Sequence, residues 1–138
     1  MEIPRSTPDS LRVRSSTRAC IIDLDGTLVD TLGDFEIALN AMLAGLGYSS
    51  VSRSQIGRWV GKGSEHLIRT ALVNAVPEAN AVDEAAVDRL MPAAWRRYQE
   101  AYLRINGQHS AVFPGVHEGL AALRARGLPL ACLTNKPL

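Results

Sequence analysis

Asp23 and Asp25 stand one residue apart, directly after the short apolar run Ala19 to Ile22 and directly before the turn pair Gly26-Thr27. An apolar run of this length bounded by turn residues predicts a buried parallel strand that delivers both carboxylates at its carboxyl end. That is where open α/β sheets bind ligands. Two carboxylates so close repel each other and are costly to desolvate, so they call for a cation, a shared proton or water. A hard divalent ion such as Mg²⁺ meets that need. On its own the pair also reads as a plain turn with a solvated strand end, and the flanking pattern has to decide.

That pattern is a set of elements able to bring other polar residues to the pair. A helical period follows at once, with Leu32, Phe35, Leu39, Met42 or Leu43, and Leu46 on one face from about Thr31 to Leu46, capped by Asp30 or Thr31 and stopped at Gly47. Tyr48 to Arg58 reads as a polar connection. A second helix carries Leu67, Ile68, Ala71, Leu72 and Ala75, with Ser64 as its N-cap and Pro77 beyond its end. A third spans about Asp83 to Ile105, and Pro92 inside it is expected to kink or divide it. Phe113-Pro114-Gly115-Val116 opens a last helix, with Val116, Leu120 and Leu123 on its face and Gly127 closing it. Leu128 to Leu133 then reads as a second buried strand, ending in Thr134-Asn135-Lys136-Pro137. If the two strands are parallel neighbours, Thr134 and Lys136 reach the same sheet edge as Asp23 and Asp25.

The chain's 138 residues, 46% of them apolar, suffice for one ordinary domain or parts of two small ones. A formal net charge of +1, with both signs scattered, argues against a nucleic-acid surface or a polybasic membrane anchor. No apolar run approaches a bilayer-spanning length, so an integral membrane protein is not expected. Cys20 and Cys132 each lie in an apolar run without metal or redox spacing, which suits a reduced, cytoplasmic setting. His66, His109 and His117 also lack ligand spacing and read as surface residues. Residues 1–18 are rich in Arg, Ser, Thr and Pro and are expected to form a disordered tail.

Asp23-Leu-Asp25-Gly26-Thr27-Leu28-Val29-Asp30 resembles the first motif of the haloacid dehalogenase superfamily, and Leu133-Thr134-Asn135-Lys136-Pro137 resembles its second. The motif order, the helical insert after the first motif, Phe113-Pro-Gly-Val, and Ala122-Leu-Arg-Ala-Arg-Gly-Leu-Pro-Leu130 are similar to phosphoglycolate phosphatases of bacterial type. The resemblance covers Ala19 to Leu138 and implies an α/β fold: a Rossmann-like core of parallel strands with an inserted α-helical cap. The core would comprise residues 19–30 and 107–138, and the cap 31–106.

The implied reaction is Mg²⁺-dependent hydrolysis of a small phosphorylated metabolite. Asp23 would be the nucleophile and Asp25 the general acid and base. The metal would lie at Asp23, with the Asp25 backbone carbonyl as a further ligand. Thr134, together with backbone N–H groups near Asp25 and Asn135, would hold the phosphoryl oxygens. Gly26 would let the chain turn close to the phosphate, and Thr27 would buttress the loop. Taken alone, Thr134 is also a strand-end hydroxyl in a turn, and Lys136 either reaches substrate or solvates its loop. Lys62, in Gly61-Lys62-Gly63-Ser64, lies where such caps dip toward substrate; it is suited to a substrate carboxylate and equally to a flexible surface turn. The superfamily's third motif, a lysine, and its acidic fourth lie on later strands, whereas no Asp or Glu follows Glu118 here. A truncated N-terminal portion, inactive or nearly so by itself, is therefore expected. A sugar-phosphate mutase resembling β-phosphoglucomutase and a degenerate, non-catalytic binding chain are the other two readings.

Overall fold

The computed structural model describes residues 16–75 and 84–135. Most of the predicted tail lies outside those residues, as do Pro77, Asp83 and Lys136. In chain order the elements are β1 (Cys20–Ile22), β2 (Val29–Asp30), α1 (Leu32–Gly45), α2 (Arg53–Trp59), α3 (Ser64–Ala75), α4 (Glu84–Ile105), β3 (Ala111–Val112), α5 (Val116–Ala125) and β4 (Leu130–Cys132). β1 pairs in parallel with β4, in the register Cys20↔Leu130, Ile21↔Ala131 and Ile22↔Cys132. β2 pairs antiparallel with β3, Val29 opposite Val112 and Asp30 opposite Ala111. The four helices α1–α4 thus form an insert that leaves and re-enters the sheet region side by side along one short ribbon.

The insert holds the core. Every buried apolar side chain among the described residues comes from α1–α4 or from Val51 between α1 and α2, including Leu39, Met42, Leu43, Ile56, Ile68, Leu72 and Tyr98. Side chains of this size contribute roughly 1.5–3 kcal/mol each on full burial. Their spacing on α1 and α3 is the predicted three-and-four-residue period. Phe35, Tyr102 and Tyr98 stack in a column with ring centroids 5.8 and 5.7 Å apart. Polar ties close the connections: Asn40 donates its Nδ2 to the Val51 carbonyl at 3.0 Å and accepts the Val51 N–H at 2.9 Å.

The structure departs from the sequence reading in several places. The predicted polar connection from Tyr48 to Arg58 contains α2, started by a reciprocal capping box between Ser52 and Gln55 and anchored by the buried Ile56. At seven residues, α2 is too short to show a period in the sequence. α3 begins at Ser64 itself, so Gly63, at φ 88°, occupies the position where Ser64 was predicted as the cap. α4 is not divided at Pro92. The proline forfeits one backbone hydrogen bond, and Val87 on one side with Ala94 and Tyr98 on the other keep the helix packed through it.

The two predicted buried strands are not buried. Ile21 is 71% exposed and Leu133, just beyond β4, is 69% exposed. α5 contributes no buried residue, although its predicted face is present: Val116, Leu120 and Leu123 line a groove of about 400 Å³ with Ile22 and Leu28. Two strands and one helix give each other one partner at most, so their remaining faces stay open.

Candidate active site

Parallel pairing settles which ends meet. The ladder continues past β4, with the Leu133 N–H donating to the Ile22 carbonyl at 3.0 Å. Thr134 and Asn135 therefore leave their strand at the same edge from which Asp23 and Asp25 leave β1. Beyond Asp23 the chain folds into a tight loop: the N–H groups of Leu28 and Val29 donate to the Leu24 carbonyl at 2.9 and 3.0 Å, and Gly26 N–H donates to the Val29 carbonyl at 2.9 Å. Gly26 sits at φ 76°, a left-handed conformation that a side chain would strain, which is why this turn takes glycine. The Leu24 N–H donates to Asp23 Oδ1 at 2.8 Å, orienting that carboxylate at the loop entrance.

A small cleft of about 50 Å³ opens over the pair. One wall consists of Asp23, Asp25 and Asn135 from the sheet edge. The other is Val60, Gly61, Gly63 and Ser64, the connection between α2 and α3, with Phe35 and Leu67 adding apolar surface. The fold brings together residues more than a hundred positions apart, Asp23 and Asn135, with a segment of the insert. Asp23 is exposed and Asp25 half-buried, so the pair stands at a wet opening with a drier side.

The other predicted site residues are placed less directly. Gly26 lines an adjoining cavity with Asp25, and Thr27 is exposed on the loop outside the cleft. Thr134 is exposed at the strand end and does not line the cleft, although its neighbour Asn135 does. Lys62 is exposed between the two glycines that line the cleft and is not itself a lining residue. Lys136 lies outside the described residues.

The donors at the cleft suit a hard cation. The Asp23 carboxylate, the Asn135 amide oxygen and a backbone carbonyl at Asp25 are oxygen donors of the kind Mg²⁺ takes, with water completing the shell, which leaves the Asp25 carboxyl free to carry a proton. Among the described residues no group of three or more His, Cys, Asp or Glu gathers into a denser metal site.

Sequence reasoning placed Ser64 in the segment expected to dip toward substrate and missed Phe35 and Tyr98 as contributors to the site. Phe35 and Ser64 line the cleft, although one reads as a core position and the other as a cap. Behind them the Tyr98 hydroxyl is buried, and its pKa is pushed up by burial first and then by Tyr102 and Asp25, with Ser64 pulling the other way. The only sequence signal for Phe35 was its place in the first turn of the helix that follows the first motif.

Comparison with known proteins gives consistent matches. The profile of the haloacid dehalogenase-like hydrolases matches residues 17–138. A plasmid-encoded phosphoglycolate phosphatase of Cupriavidus necator is 41% identical over 121 residues, which are 86% of this chain and 48% of that protein. The phosphoglycolate phosphatase of Pseudomonas syringae pv. tomato is 38% identical over 85% of this chain and 41% of its own length. The chain spans about half the length of the curated relatives it matches. Among solved structures, a predicted phosphoglycolate phosphatase from Haemophilus somnus superposes with a TM-score of 0.72 at 29% identity, over 88% of this chain and 52% of that one. A predicted phosphatase from Clostridium acetobutylicum, at 23% identity and a TM-score of 0.64 over 88% of this chain and 50% of its own, matches in fold.

Proposed function

This chain belongs to the haloacid dehalogenase-like hydrolase family, and on that premise we propose that it carries the nucleophile half of a phosphomonoester hydrolase acting on 2-phosphoglycolate. The observation that carries the reading is the cleft itself, in which Asp23 and Asp25 at a strand's carboxyl end face the insert's Gly61–Ser64 segment. The substrate assignment is supported by the phosphoglycolate phosphatases among the relatives.

In this mechanism a carboxylate oxygen of Asp23 attacks phosphorus in line, the bond to the glycolate oxygen breaks, and an aspartyl-phosphate forms. Asp25 gives its proton to the departing alkoxide. It then takes a proton from the water that attacks phosphorus, which releases phosphate and restores Asp23. Phosphoryl transfer depends on holding the three other phosphorus oxygens, a task for Asn135, Thr134 and the backbone N–H groups of the loop. Held by the Asp23 carboxylate and the Asp25 backbone carbonyl, Mg²⁺ would supply positive charge that offsets the repulsion between nucleophile and phosphate. Lys62 reaches over the cleft rim to the substrate carboxylate, with Gly61 and Gly63 giving that short segment its freedom. The insert serves as a lid that limits water at the cleft. The setting is cytoplasmic and the partner is a small phosphorylated metabolite.

Beryllium fluoride with Mg²⁺ tests the nucleophile directly, because a competent aspartate oxygen binds beryllium, which keeps three fluorides and mimics the aspartyl-phosphate. The ¹⁹F spectrum of the chain is expected to show bound resonances that vanish in Asp23→Asn; their absence from the unaltered chain contradicts a competent nucleophile. Phosphate release from 2-phosphoglycolate by these 138 residues alone is expected to be absent or nearly so. Turnover comparable to an intact phosphatase of this kind rules that expectation out.

A further inference from the structure

The two walls of the cleft belong to different parts of the fold. One is the β1 and β4 edge, and the other is the α2–α3 connection within the insert. The chain joins them through the β2–β3 ribbon. Asp34 sits at the root of that join. It is fully buried, at 0% exposure, in the first turn of α1 as that helix leaves β2. Its carboxylate accepts the N–H groups of Gly107 and His109 at 2.8 Å each, and the Ser110 hydroxyl as well. All three donors lie on the loop that leads from α4 into β3. One carboxylate therefore fastens the insert's exit to its entrance.

The contact extends to the backbone. A side chain at Gly33 would run into the His109 carbonyl oxygen, so only glycine lets α1 and the exit loop come this close. The other tie at the ribbon is weaker in kind. Arg53 of α2 pairs with Asp30 at 3.4 Å and Glu36 at 3.6 Å, but these side chains are a third to a half exposed, so the contacts are screened and easily exchanged for water. Asn40 and Val51 make a tie within the insert, away from the ribbon.

We propose that Asp34 is a positioning residue. By locking the α4 exit loop onto the first turn of α1, it makes the insert move as one body on the β2–β3 ribbon and so sets the spacing of the Gly61–Ser64 wall from Asp23 and Asp25. A carboxylate is the side chain this place requires, since it only accepts hydrogen bonds and three donors converge on it. The inference stands on this geometry and does not depend on which substrate the cleft takes.

Two measurements test it on the full chain. In amide hydrogen exchange, Asp34→Ala is expected to speed Gly107 and His109 roughly 10- to 100-fold, as loss of bonds to a charged group implies, while the Val51 amide keeps its protection. Asn40→Ala is expected to do the reverse. Spin labels on Lys62→Cys and on the exposed native Cys132, with Cys20→Ser, then report the spacing of the two walls. One narrow distance distribution is expected for the labelled parent and a broadened one for Asp34→Ala, with Asn40→Ala leaving it narrow. Should Asp34→Ala not fold, Ser110→Ala removes one donor and keeps the carboxylate, and is expected to broaden the distribution to a lesser extent. An unbroadened distribution in the folded variant, or exchange rising equally at Val51, Gly107 and His109, overturns the proposal. Neither readout needs turnover, so a failed phosphatase assay leaves this result standing.

Discussion

Asp23 and Asp34 are the same residue type used in opposite ways. Asp23 keeps an exposed carboxylate at a strand end, oriented by the Leu24 N–H, whereas Asp34 has no exposed surface at all. Burial by itself raises the Asp34 pKa, but the hydrogen bonds from Ser110, Gly107 and His109, with the charge of His109, outweigh it and hold the group below its ordinary 3.8. A folded-state pKa below the unfolded one stabilises the protein above the unfolded value, and that contribution is lost as pH falls through the folded value. Asp34→Asn is therefore expected to cost about 1–3 kcal/mol in urea unfolding at neutral pH. The difference from the parent should shrink as pH falls below 3.8. A penalty of constant size from neutral to strongly acid pH contradicts this account. The two aspartates also differ in legibility. Asp23 is readable because its strand, turn and partner carboxylate are adjacent in sequence. The partners of Asp34 lie 73 to 76 residues away, and nothing local distinguishes it from an ordinary acidic residue in a helix's first turn.

Among the elements, periodicity exposed α1, α3 and α4, because each runs long enough to repeat an apolar face. α2 was hidden: one buried residue, Ile56, makes no period, and the Ser52 to Gln55 spacing of its capping box is a weak signal without an apolar run behind it. The structure gives both residues weight. Ser52→Ala is expected to cost about 1 kcal/mol through the lost cap, and Ile56→Ala about 2–5 kcal/mol through transfer and cavity terms, both read from thermal or urea unfolding. If Ile56→Ala costs no more than Ser52→Ala, α2 is not held by its one core contact. The β2–β3 ribbon was equally hard to foresee, since strands of two residues each carry no pattern. The parallel pairing of β1 with β4, in contrast, was anticipated from two apolar runs joined by a long crossover, whereas their register came only with the structure.

At the scale of the whole molecule the core is lopsided. The helical insert holds every buried apolar side chain among the described residues, although Leu103 on α4 stays exposed, and the β1, β4 and α5 layer leaves Ile21 and Leu133 largely exposed beside an open apolar groove. The strands read correctly as parallel and incorrectly as buried, because an apolar run encodes a tendency to be covered and not the presence of a cover. Regions with few buried contacts open at low free energy. Amide exchange at Ile22 and Ala131 is accordingly expected to be faster than at Leu39 and Met42 of α1, and equal protection in the two layers would show that the sheet is held by something other than burial. The aromatic column has an effect of another kind. Phe35 borders the cleft and stacks on Tyr102, which stacks on Tyr98 inside the helices. Near-ultraviolet dichroism is sensitive to fixed packing of such rings, so the column is a built-in optical gauge: a ligand that settles against Phe35 will register in the tyrosine signal without any added dye.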